Sequence, residues 1–116
     1  MNFNLFVRDN ATMSEIAACA TEELAPDEML QVFVEGRAPI AVYNLDGEFF
    51  ATDDTCTHGD ASLAEGDIED GEVICPFHMG AFDIRTGEAT APPCVSPIRS
   101  YPVRIEGGTV YIEVDP

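Results

Sequence analysis

Along most of the chain, short runs of alternating apolar and polar residues are separated by turn formers, a pattern that predicts strands and not helices. Glu15–Cys19 reads as a first strand. Thr21-Glu22-Glu23-Leu24 reads as one helical turn, stopped by Pro26, which has no N–H to continue it. Met29–Val34 reads as a second strand, turned by Glu35-Gly36-Arg37. Ile40–Leu45 and Glu48–Thr52 flank Asp46-Gly47. Asp-Gly between two apolar runs signals a hairpin, because glycine takes the positive φ that a tight turn needs. Near the other end, Tyr101, Val103 and Ile105 alternate with polar residues, Gly107-Gly108 turns the chain, and Val110, Ile112 and Val114 alternate again. This predicts a second hairpin with one buried face.

The segment between the two hairpins differs. Residues 53–72 carry eight acids and no base, and residues 86–97 are rich in Pro, Ala and Thr. The middle therefore reads as a loop-rich insertion, spanning about 53–97, in an all-β scaffold. Ala61–Glu65 has the composition of a single helical turn. Residues 1–12 fit no periodicity, and Met13 is an alternative start, so the reading is an N-terminal extension followed by one domain over 13–116.

Composition narrows the function classes. The 116 residues suit one globular domain. No apolar run approaches the about 20 residues of a membrane helix, and no secretory signal opens the chain. The expectation is a cytoplasmic protein whose four cysteines are thiols or metal ligands and not a disulfide framework. Five arginines, no lysine and 22 acids give a formal net charge of −17. Phosphate binding needs clustered Lys and Arg, so nucleic acid and anionic membranes are excluded as partners. The charge suits a cationic patch on a protein partner, or serves only solubility.

The candidate chemistry lies in the insertion. The chain has two histidines, and each closely follows a cysteine: His58 after Cys56, and His78 after Cys75. Each pair lets one tight loop offer a thiolate and an imidazole. Gly59 and Gly80 permit the unusual dihedrals with which backbone wraps a metal, Pro76 stiffens the second loop, and Val73-Ile74 leads into Cys75 like the end of a strand. Zinc takes two cysteines and two histidines, usually as a Cys pair followed by a His pair. Here each pair is mixed, which fits a two-iron cluster with both thiolates on one iron and both imidazoles on the other. A zinc-stabilised binding module is the alternative.

Cys56-Thr57-His58-Gly59 and Cys75-Pro76-Phe77-His78-Met79-Gly80 resemble the two cluster-binding boxes of Rieske proteins, and Gly87–Pro93 looks like the proline loop that covers the cluster in that family. The resemblance runs from about residue 13 to the C-terminus. Within the family the chain is most similar to the small Rieske-type [2Fe–2S] ferredoxins of bacterial aromatic-ring-hydroxylating dioxygenase systems of the biphenyl and naphthalene kind. The resemblance implies an antiparallel β-sandwich core with an inserted cluster-binding subdomain. It implies one [2Fe–2S] cluster, with Cys56 and Cys75 on the buried iron and His58 and His78 on the outer one. The implied function is one-electron transfer, from an NAD(P)H-dependent flavoprotein ferredoxin reductase to a terminal Rieske non-haem iron oxygenase in aromatic hydrocarbon degradation. The chain itself is then a monomeric electron carrier and not an enzyme. A Rieske-like accessory subunit of a nitrite reductase is the alternative within the family; many of those domains lack the ligand set, and this chain keeps all four residues.

The departures from the family pattern carry information. Respiratory-chain Rieske proteins join their boxes by a disulfide and place Ser and Tyr hydroxyls near the cluster; the matching positions here are Ala61 and Phe77, then Gly80 and Phe82. Fewer donors to the sulfurs destabilise the reduced state. The dense acid of residues 53–72 acts in the same direction, so the expected potential is about −150 mV. Cys19 and Cys94 read as packed free thiols. Phe77 and Met79 read either as an apolar rim for partners or as packing beneath the loop. Phe49 and Phe50 read as strand core and edge residues, and Arg85-Thr86-Gly87 as a turn. With both histidines assigned to iron, the chain holds no catalytic constellation.

Overall fold

A computed structural model describes residues 14–57, 59, 61–77 and 79–114. Among these residues the chain forms eleven strands in three antiparallel sheets. The first sheet has the order β1–β11–β10, from Ser14–Ala20, Thr109–Val114 and Val103–Glu106. The second has the order β2–β3–β4–β9, from Glu28–Val32, Ile40–Leu45, Glu48–Asp53 and Ser100–Tyr101. The third has the order β5–β6–β7–β8, from Asp67–Glu69, Glu72–Ile74, Ala81–Asp83 and Ala89–Ala91. The helical turns expected near Thr21 and within Ala61–Glu65 are 3₁₀ turns at Thr21–Glu23 and Leu63–Glu65.

The predicted β3–β4 hairpin turns on Asp46 (φ 54°) and Gly47 (φ 95°), with Leu45 opposite Glu48. Asn44 closes it. The buried Asn44 Nδ2 donates to the Leu24 carbonyl (2.8 Å), and its Oδ1 accepts from the Gly47 N–H (2.7 Å). Asn44→Ala strips both groups of their partner, and we expect it to cost about 2 kcal/mol in urea-melt stability with the native topology kept.

One expected strand is two. Tyr101 belongs to β9 and faces Ala51 of β4, whereas Val103 belongs to β10 and faces Ile112 of β11. Pro102 separates them. It has no N–H for a ladder, so pairing is interrupted there, while its carbonyl still accepts from the Glu113 N–H (3.0 Å). The chain therefore crosses from the second sheet to the first at this residue. Arg104 then ties the outer strands of the first sheet together, its Nε and Nη2 donating to the two carboxylate oxygens of the buried Glu15 (2.9 and 2.8 Å).

Two buried clusters share strand β3, whose six residues are all buried. Ile40 and Val42 pack with Ala51, Tyr101, Val110, Ile112 and Val114 between the first two sheets. Ala41, Tyr43 and Leu45, pointing the opposite way along the pleat, pack with Cys56, Leu63, Val73, Cys75, Phe82, Ile84, Cys94 and Ile98. The all-β sandwich expected from the sequence is thus extended by a second core on the outer face of the second sheet. The middle segment also contains more strand than its composition suggests. Asp70 (φ 51°) and Gly71 (φ 79°) turn β5 into β6, and the Asp83 carboxylate accepts from the N–H groups of Arg85 (2.8 Å) and Thr86 (3.2 Å) to form the turn expected at Arg85-Thr86-Gly87.

Candidate metal centre

The first loop leaves β4 at a buried acid. Asp54 Oδ2 accepts from Gln31 Nε2 (2.7 Å), its Oδ1 from the Ala64 N–H (2.9 Å), and its carbonyl from the Leu63 N–H (2.7 Å). Thr55 bridges to Ser62, and the Cys56 N–H donates to Ala61 O (3.0 Å). The two legs of the loop are therefore bonded together, and Cys56 stands where they part. Its carbonyl accepts from the Gly59 N–H (3.3 Å), curling the tip back on itself.

The second loop repeats this construction. Strand β6 ends at Ile74, and the Cys75 N–H donates to Gly80 O (2.7 Å) just before β7 begins. The Met79 N–H donates to Cys75 O (3.0 Å), with Met79 in the left-handed region at φ 62°. Each cysteine thus sits at the first residue of a tight loop whose ends are bonded to each other.

A third segment closes over both. Thr57 Oγ1 donates to Ser96 O (3.0 Å). A Cβ placed on Gly80 would stand 2.5 Å from Cys94 Sγ and 3.0 Å from Cys94 N, so residues 91–94 approach the second loop as closely as they do only because residue 80 is glycine. Cys94 Sγ lies 3.7 Å from Cys56 Sγ. Burial, then the hydrogen bond with Cys56 and the neighbouring Cys56 and Cys75 sulfurs, push the Cys94 thiol up to about 12.

Of the four residues expected to hold metal, Cys56 and Cys75 are buried in one apolar cluster with Ala61, Leu63, Val73 and Phe82; His58 and His78 lie outside the described residues. A pair of soft sulfur donors buried in one apolar cluster fits an iron–sulfur group. Cys94 shares this cluster with them. Its packing was legible in the sequence, but its contact with Cys56, 38 residues away, was not, because no metal-ligand spacing marks it. Cys19 lies at the irregularity in β1 and packs against the other core, as expected.

Phe77 and Met79 do not pack beneath the second loop. Both side chains are exposed, at 67% and 69%, and Val95 beside Cys94 is 79% exposed. Large apolar groups thus stand outward on the loops around the cysteines, and neither Phe77 nor Met79 packs beneath its loop. Phe49 and Phe50 are half-buried on β4 and pack against opposite cores. The arginines of the described residues are engaged with their own chain: Arg37 with Asp53, Arg85 with Glu48, Arg104 with Glu15 and Glu106, and Arg99 over the Tyr101 ring. Among the described residues no helix is long and apolar enough to cross a membrane.

Comparison with known proteins gives concordant matches. The model of the Rieske [2Fe–2S] domain matches residues 14–102. The ferredoxin component of the p-cumate 2,3-dioxygenase system of Pseudomonas putida is 49% identical over 100 residues, 85% of this chain and 85% of that protein. The biphenyl dioxygenase ferredoxin subunit of Pseudomonas sp. (strain KKS102) is 47% identical over 102 residues, 87% of this chain and 93% of that protein. Among solved structures, the complex of reduced oxygenase and oxidised ferredoxin in carbazole 1,9a-dioxygenase contains a chain that superposes with a TM-score of 0.82 at 41% identity, covering 84% of this chain and 91% of that one.

Proposed function

The chain belongs to the Rieske [2Fe–2S] domain family, and we propose that it is the ferredoxin of an aromatic-ring dioxygenase system, taking electrons from an NAD(P)H-dependent flavoprotein reductase and delivering them to a terminal Rieske oxygenase. It carries one Rieske-type [2Fe–2S] cluster and is an electron carrier, not a catalyst. The observation that carries the reading is the pair of buried cysteines, each at the mouth of a hydrogen-bonded loop and each followed closely by a histidine in the sequence.

Cys56, Cys75, His58 and His78 would hold the cluster, the two thiolates on one iron and the two imidazoles on the other. When bound, the cluster takes up and returns a single electron. The protein's part is to hold the site rigid and bring a partner close. The bonded loop ends, Cys56 N–H to Ala61 O and Cys75 N–H to Gly80 O, fix where the thiolates stand. The second core shields them from water. Phe77, Met79 and Val95 give a partner apolar surface beside the site. The surplus acid, with the arginines of the described residues already engaged, favours a cationic docking face. The relatives' names, as ferredoxin parts of dioxygenase systems, and the oxygenase–ferredoxin complex among the solved structures support the choice of acceptor. The working compartment we assign is the cytoplasm, with the chain monomeric. The cluster-binding segment is taken as about residues 53–97, within a domain over 13–116 that follows an extension at 1–12.

Anaerobic titration of the purified protein with low-temperature EPR tests this. Two irons per chain, one unpaired electron on reduction and a midpoint at about −150 mV are expected. A colourless zinc protein contradicts the cluster reading, and a midpoint well above zero contradicts the low-potential one. Reconstituted turnover with a flavoprotein reductase and an aromatic-ring oxygenase checks the partners.

A further inference from the structure

Beside the proposed ligands stands a sulfur that the electron-carrier reading does not use. Cys94 is 3% exposed, and its Sγ is 3.7 Å from Cys56 Sγ, within hydrogen-bonding range for a thiol donor and a sulfur acceptor. Three contacts hold it there. The Cys94 N–H donates to Ala91 O (3.2 Å), and Thr57 Oγ1 reaches Ser96 O, tying the same segment to the first loop. On the other side, the missing side chain of Gly80 opens the volume that the Cys94 sulfur fills. The thiol is therefore wedged between the two cysteine-bearing loops and aimed at one of them.

A cysteine thiol has one S–H to donate. Cys94 shares its buried cluster with the Cys56 and Cys75 sulfurs. We propose that Cys94 donates this S–H to the Cys56 sulfur and thereby favours the reduced form of the protein, a tuning role that rests on the reading of Cys56 as an iron ligand. Adding an electron to the cluster raises the negative charge on its ligand sulfurs, so a donor to one of them stabilises the reduced state more than the oxidised one. Cys94 forms no bond to iron in this proposal.

The test is the midpoint potential of the cluster-loaded full chain, titrated anaerobically for the native protein, Cys94→Ala and Cys94→Ser. Cys94→Ala should keep its iron and its visible bands, and at a fixed applied potential its ratio of reduced to oxidised protein should fall about fivefold, the weight of one modest hydrogen bond. For a one-electron couple that is about 40 mV more negative. Cys94→Ser, with a hydroxyl donor in place of the thiol, should return the ratio to the native value or above it. A loaded Cys94→Ala at the native potential overturns the proposal, because a cysteine that only fills space would change stability and leave the potential alone. A Cys94→Ser protein below the native potential also overturns it, and settles the matter if Cys94→Ala does not fold. Loss of the cluster from both variants overturns it too, since a donor outside the ligand set is dispensable for binding. Failure of the native protein to bind iron and sulfide would instead remove the function proposed above.

Discussion

Cys75→Ala should yield a chain that holds no [2Fe–2S] cluster: iron falls from about two per chain to near zero, and the visible absorption goes with it. Three features make this the largest effect expected of any single substitution. Cys75 is completely buried at the end of β6, so its thiolate is delivered by a strand and not by a free loop. Its N–H and C=O are both committed, to Gly80 O and from the Met79 N–H, so the backbone cannot swing another donor into its place. The spare thiol, Cys94, is already placed against Cys56. Cluster binding is coupled to folding, so the variant should also melt well below the native protein. Cys19→Ala, at a thiol in the other core, is the control and should keep full iron content. Iron and sulfide analysis with a visible spectrum reads the result; a Cys75→Ala protein that retains its bands sinks the ligand assignment.

Gly87→Ala should strongly destabilise the fold while leaving every proposed ligand untouched. Gly87 sits at φ 84°, and a Cβ there would lie 2.1 Å from Ile98 O and 3.2 Å from Ile98 C, which are backbone atoms. The residue cannot move aside. Its N–H donates to Asp83 O (2.7 Å), and its carbonyl accepts from the Ile98 N–H (2.8 Å). Left-handed strain of about 1–2 kcal/mol adds to overpacking of similar size, for a loss of about 3 kcal/mol and a fall in melting temperature of about 10 °C. Gly47→Ala separates the two causes. Gly47 has φ 95° but open space around it, so only the strain applies there. If calorimetry finds the two variants equally destabilised, the clash with Ile98 is not what makes glycine necessary at 87.

The comparison of the two glycines shows what kind of information a sequence carries. Gly47 is legible because its task is local: Asp46-Gly47 between two apolar runs makes a hairpin whatever lies elsewhere. The same local chemistry at Asp70-Gly71 makes β5 and β6, but the flanking strands are three residues each and embedded in acid, so alternation was too brief to mark them. Gly87 is legible as part of a turn, yet the reason for glycine is Ile98, whose approach is a tertiary fact. Around Pro102 the alternation of Tyr101, Val103 and Ile105 marks strand, and only the fold reveals that the chain changes sheets there.

The candidate centre divides along the same line. By itself, the sequence determined the all-β class and the two outer hairpins and put forward the four proposed metal-binding residues, because turn chemistry, strand alternation and Cys–His spacing act over a few neighbouring residues. Only the tertiary structure decided that β3 serves two cores, that Phe77 and Met79 point outward, and that Cys94 rests against Cys56. Those facts depend on which distant segments share a pocket. Burial and close packing set that through the whole chain at once, and no short window of residues records it.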